Sequence, residues 1–183
     1  MNLKQIETSF ASILEAIGED THREGLIDTP KRVAQSYSEF FSGIHQDPRE
    51  ELKKTIDTDK KDMIIEKNID FYSMCEHHFL PFFGTVDIAY IPNKKIIGFG
   101  HIITALEILA KRPQLQERLG SELADCIFEV LQCEGVMVII KARHLCMTMR
   151  GSKKENSRII TVACRGSFEN DSIKRMEAIT LLK

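Results

Sequence analysis

Two short stretches hold the side chains best suited to chemistry, Cys75-Glu76-His77-His78 and His144-Leu145-Cys146. Thiols and imidazoles are the donors that zinc prefers. Cys75 and His78 stand three apart, so one turn or bulge can aim both at a single ion. Cys146, arriving from a distant strand, would supply a third ligand, although spacing alone leaves that partner open. Glu76 and Cys164 are further donors, either of which would close a purely structural, four-ligand site. With only three protein ligands the fourth position is left for water, as in a catalytic zinc centre. His77 and His144 are then free to move protons beside the metal. An isolated Cys is usually a small buried hydrophobe. Cys126, Cys133 and Cys164 read that way, and the dense Cys-x-x-His cluster does not.

The bulk properties narrow the classes. The chain has 183 residues, 43% hydrophobic and 28% charged, which suits one globular domain with an extension. A net charge of -2 without a basic stripe argues against nucleic-acid binding. No apolar run reaches membrane-spanning length, and the first residues carry no signal-peptide core. Five cysteines form no disulfide-scaffold pattern, so a reducing, cytoplasmic setting is expected.

The elements that must position these residues follow from periodicity. Leu3, Ile6, Phe10, Ile13, Leu14 and Ile17 line one face of a helix that stops at Gly18. Thr29-Pro30 opens a second helix, with Thr29 as N-cap and Pro30 at the first helical position. Residues 45–61 read as a linker, so the chain divides into an N-terminal helical region with its linker, 1–58, and a catalytic domain, 59–183. Strands are expected at 62–74, 84–92 and 95–98, helices at 101–111 and 113–133, strands at 136–140 and 158–164, and a last helix after Asp171. The class is α+β, an antiparallel sheet with helices on one face. Both alternating sets of strand residues are apolar in places, for example Val136 to Ile140, so subunits are expected to join over the other face as a ring with active sites at their boundaries.

With these residues in hand, the chain resembles GTP cyclohydrolase I over nearly its whole length. The likeness rests on Arg23-Glu24-Gly25-Leu26 with Asp28-Thr29-Pro30-Lys31-Arg32, on Cys75-Glu76-His77-His78 with Pro81-Phe82-Phe83-Gly84, and on Ala89-Tyr90-Ile91-Pro92. It continues through Arg112-Pro113-Gln114-Leu115-Gln116-Glu117-Arg118-Leu119, His144 to Gly151 and Arg165-Gly166-Ser167-Phe168. The resemblance implies the tunnelling fold, strand-helix-helix-strand units in a toroidal homo-oligomer, expected here as a decamer. It implies a zinc ion on Cys75, His78 and Cys146, with His77 and His144 as catalytic histidines. Gln116 and Glu117 would hold the purine, Glu117 on the 2-amino and ring N–H edge of guanine. Arg32 and Arg150 would meet the phosphates. The implied reaction converts GTP and water to 7,8-dihydroneopterin triphosphate and formate, on the route to pterins and folates.

The sequence departs from the family at the phosphates. Phe99, Gly100, His101 and Thr104 stand where the family typically has Leu-Ser-Lys and an Arg three residues beyond that Lys, and Gln35 replaces a usual Lys. Each lost charge-assisted hydrogen bond is worth about 1.5–3 kcal/mol. Either other cations compensate, among them protonated His101, Lys94, Lys95 or Lys111, or the substrate is a nucleoside, a monophosphate or another purine-like ring. A non-catalytic purine-binding oligomer is the remaining alternative.

Overall fold

The computed structural model describes residues 1–151 and 153–182. Backbone contacts divide the chain into two compact units, Met1–Ser42 and Gly43–Lys183. The first unit pairs α1 (Leu3–Ala16) with α2 (Thr29–Phe40) and buries Leu14, Ala34 and Phe41. Asn2 caps α1 by accepting from the Gln5 N–H. Helix α2 starts one residue earlier than its sequence suggests: Thr29 is already helical, Asp28 is the N-cap, and Pro30 lies in the first turn.

Residues 45–61, read from the sequence as linker, fall within the second unit. They form α3 (Pro48–Leu52) and β1 (Thr55–Asp57), and β1 pairs antiparallel with β4 (Lys95–Ile97). The segment is polar overall, but Leu52 is fully buried in the main core. Burial of one such side chain contributes about 1.5–3 kcal/mol, enough to anchor a short charged helix.

The main sheet runs β5-β2-β3-β6-β7. Its strands are β2 (Ile64–Cys75), β3 (Pro81–Ile91), β5 (Pro113–Gln114), β6 (Gly135–His144) and β7 (Ile159–Gly166). All neighbours are antiparallel except β5, which runs parallel to the end of β2. Pro113 therefore does not open a helix, as the sequence pattern suggests. It sits in a two-residue strand that feeds α5 (Gln116–Leu131). Gly84 lets β3 and β6 approach closely, since a Cβ there would run into the Lys141 carbonyl.

Alternate strand residues serve two cores. Ile88, Tyr90, Val136, Val138 and Ile140 face α4 (Phe99–Ala110) and α5, whose Leu106, Leu109, Leu119, Leu123 and Ile127 are buried. Ala89, Ile91, Met137 and Ile139 face the other way, against Phe168 of α7 (Ser167–Asn170) and Ala178 of α8 (Ser172–Leu181). Helices thus cover one face, and the C-terminal pair covers one end of the other. The rest of that second face stays open: Tyr72, Ile160 and Val162 are exposed, and Tyr72 stacks on Phe83 at 5.7 Å.

A bulge between Glu66 and Ile69 interrupts β2, with Asn68 left-handed at φ 57°. Buried Asp87 accepts from the Asn68 N–H and from Lys141 Nζ, both at 2.8 Å. Glu66 has no such support. Its Oε2 is buried without a hydrogen-bond partner, and burial pushes its carboxyl above the ordinary value. The fold therefore favours the protonated form, and stability falls as pH rises through the raised value. Glu66→Gln is expected to raise the melting temperature at pH 8 by about 2–4 °C, a gain that vanishes below about pH 4. Calorimetry at both pH values checks this, and equal melting at pH 8 would refute it.

Candidate active site

The fold gathers three stretches at one end of the sheet. Cys75 ends β2, His144 ends β6 beside Phe82 of β3, and β5 pairs Gln114 with Cys75 before delivering α5. The turn after β2 is tight: Phe79 N–H donates to the Cys75 carbonyl at 2.8 Å, Cys75 N–H to the Leu80 carbonyl at 2.9 Å, and Phe79 takes φ 52°. The short helix α6 (Leu145–Thr148) then presents Cys146.

Cys75, His78 and Cys146 converge, with their ligand atoms all within 4.8 Å of one another. A tetrahedral zinc ion spans donor pairs of roughly 3.5–4 Å, so the donor set and its spacing fit one such ion. Cys75 is buried, Cys146 half-buried and His78 exposed. Burial, then the neighbouring Cys75 thiol, pushes the Cys146 thiol up. Among the described residues no fourth Cys, His, Asp or Glu joins this group. Glu76 is held elsewhere, both of its oxygens accepting from Arg118 at 2.8 Å. Cys164 belongs to the second core. Three donors and an open position are the pattern of a catalytic centre.

His77 is exposed on the turn, its ring edge-on to His78 at 6.3 Å. His144 lies flat on fully buried Phe82, with ring centroids 4.7 Å apart and planes within 6°. Its Nε2 is 2.8 Å from Gln116 Oε1. Burial lowers the His144 pKa, and nearby Glu117 opposes that shift without overcoming it.

Glu117, in the first turn of α5, opens into a cavity of about 570 Å³ that Ser121, Thr161, Cys164 and Arg165 also line. Its carboxylate makes no hydrogen bond or ion pair among the described residues. Of the arginines that line this cavity, Arg165 is engaged with Asp125 and Ser121 and Arg175 donates to the Glu169 carbonyl, while Arg118, next in sequence to Glu117, pairs with Glu76.

A family model described as GTP cyclohydrolase I matches residues 6–183. The chain belongs to the GTP cyclohydrolase I family. It is 58% identical to GTP cyclohydrolase 1 of Fusobacterium nucleatum subsp. nucleatum, over 100% of this chain and 98% of that one. It is 50% identical to proteins of the same name from Bacillus cytotoxicus, covering 97% of that chain, and from a Geobacillus species, covering 98%, in both cases over 100% of this chain. For a member of the GTP cyclohydrolase I family the α+β sheet described above is the tunnelling fold.

Other residues expected at the site fare differently. Gln116 is 1% exposed and does not line the Glu117 cavity. His101 is drawn to Glu51, its Nδ1 3.1 Å from Oε2, so it is not a free phosphate ligand. Arg32 pairs with Asp28 at 3.3 Å in the first unit. Arg150 is exposed, makes no ion pair among the described residues, and is close enough to Cys146 to favour its thiolate. Sequence reasoning missed the structural parts played by Phe82 and Arg118. Both stand in the motifs that carry the resemblance, but only the β3–β6 register and the Glu76 ion pair reveal what they touch.

Proposed function

We propose that this protein is a zinc-dependent GTP cyclohydrolase I, converting GTP and water to 7,8-dihydroneopterin triphosphate and formate. The observation that carries the reading is the open three-ligand group of Cys75, His78 and Cys146 beside His77 and His144, with unpaired Glu117 nearby. Zinc held by those three residues supplies Lewis acidity and lowers the pKa of water at the ring carbon C8.

The chain's own residues do the rest. Glu117 accepts from the 2-amino group and the ring N–H of guanine, which fixes the purine edge. His77 and His144 deliver and remove protons at the imidazole-ring nitrogens as the C8–N9 bond opens and formate leaves, a task suited to imidazoles near neutral pH. Phe82 and Gln116 hold the His144 ring in one plane, so that proton transfer needs no reorientation. Arg150 provides positive charge beside the metal group for the triphosphate.

The exposed apolar residues Tyr72, Ile160 and Val162 support assembly into a ring of subunits, which we take to be decameric with sites at subunit boundaries. No helix among the described residues is long and apolar enough to cross a membrane. Free thiols at all five cysteines suit the cytoplasm.

The test is a substrate panel on zinc-loaded protein: GTP, GMP, guanosine and guanine, with formate and the ultraviolet spectrum followed together. GTP is expected to give formate and a pterin. Turnover of a less phosphorylated purine with GTP inert would instead assign the altered positions Phe99, Gly100, His101 and Thr104 to a changed substrate. His77→Ala is expected to lower kcat by about 10²–10⁴-fold with metal retained, whereas a binding-only protein would have no turnover to lose.

A further inference from the structure

We infer that Gln116 is a positioning residue that fixes which nitrogen of His144 carries the proton. The orientation of its carboxamide follows from what surrounds it. Gln116 Nε2 lies 3.1 Å from the Ile140 carbonyl, 3.1 Å from the Ile159 carbonyl and 3.1 Å from Thr161 Oγ1. Backbone carbonyls only accept, so the atom facing both must be the NH₂ group. A flipped amide would set its oxygen against two carbonyl oxygens.

The other end of the amide is then settled. Gln116 Oε1 faces His144 Nε2 at 2.8 Å, and an amide oxygen only accepts. His144 must donate from Nε2. A neutral imidazole with its proton on Nε2 has Nδ1 bare, and Nδ1 makes no hydrogen bond among the described residues. The ring cannot swivel away, because Phe82 stacks against it at 4.7 Å.

The ring is thus presented in one tautomer, with Nδ1 as its one available proton acceptor and Nε2 committed to the protein. The anchors of Gln116 are backbone groups of β6 and the first residue of β7, so the tautomer is set by the sheet itself. This assigns Gln116 a task different from holding the purine, which falls to its neighbour Glu117. The catalytic consequence rests on the cyclohydrolase reading, and the tautomer does not.

Solid-state ¹⁵N NMR of the full metal-loaded protein, labelled at histidine and assigned by difference from His144→Asn, tests both parts. At about pH 8.5, two units above the ordinary imidazole value, neutral His144 is expected to show a protonated Nε2 and a bare Nδ1. Gln116→Met, similar in size but without the acceptor, is expected to lose that preference. It should lower kcat for GTP about 10²-fold with KM changed less than twofold. A bare Nε2 in the unsubstituted protein, or an unchanged tautomer in Gln116→Met, overturns the proposal. A raised KM with kcat intact would return Gln116 to the purine and overturn its positioning role. Unsubstituted protein with the Nε2–H signature but no formate from GTP would overturn the functional reading, and with it the catalytic half.

Discussion

Cys146→Ala is expected to yield a folded protein that carries no metal and releases no formate from GTP. Among the described residues only Cys75, His78 and Cys146 converge, and Glu76 is locked to Arg118, so none of the others stands ready to take a vacated place. Loss of a residue that merely orients a ligand costs about 10–100-fold in metal affinity, and loss of one ligand in three costs more. The fold should survive. The core beneath the sheet is built from Leu119, Leu123, Ile127, Val136, Val138 and Ile140, all fully buried and none dependent on the ion. Metal analysis and thermal melting of the same sample separate the cases. A metal-free variant that melts within a few degrees of the parent fits a catalytic ion. Cooperative unfolding on metal loss would instead mark a structural ion, because such sites couple binding to folding.

The same contrast explains what the sequence could reveal. Cys75 and His78 are legible because they lie three apart, and a local pattern needs no knowledge of the fold. Strands and helices are legible where one period dominates, as in α1 and in the β-branched run of β6. Cys146 is not legible from spacing. It reaches Cys75 only because β3 pairs with both β2 and β6, a register that long-range packing decides. Pro113 misleads for a similar reason. Proline commonly starts helices, but here it lies beside Met74 in a parallel pair that no local signal announces. The segment 45–61 looks like linker because charge dominates its composition, while Leu52, the fully buried side chain that anchors its helix, lies among charged neighbours.

The adjacent pair Gln116 and Glu117 shows the limit most sharply. A family resemblance assigns both to the purine. Two consecutive residues in the first turn of a helix point roughly 100° apart, so they rarely share a task. The fold sends Gln116 inward to the sheet and His144, and Glu117 outward into the cavity. The burial of each depends on how α5 lies across β6 and β7, which no local pattern announces.

Glu117→Ala is expected to abolish discrimination between GTP and inosine triphosphate, a purine nucleotide that lacks the 2-amino group. In the parent protein the Glu117 carboxylate, in the first turn of α5, is free to accept two N–H bonds from guanine. Each charge-assisted bond is worth about 1.5–3 kcal/mol, so the substitution should lower kcat/KM for GTP by roughly 10²–10⁴-fold. Inosine triphosphate completes only one bond and leaves the carboxylate half-paired, so the parent should already reject it by about tenfold or more. In Glu117→Ala neither substrate meets the carboxylate, and the ratio of their kcat/KM values should fall to near unity. The ratio is the decisive quantity, because a general disturbance of α5 would lower both rates and leave it unchanged. Ordinary exposed helix carboxylates pair with a nearby arginine and contribute little. Here Arg118 and Arg165 are committed to Glu76 and Asp125, and Arg175 donates to the Glu169 carbonyl, so an unchanged ratio would count against Glu117 as the purine's partner.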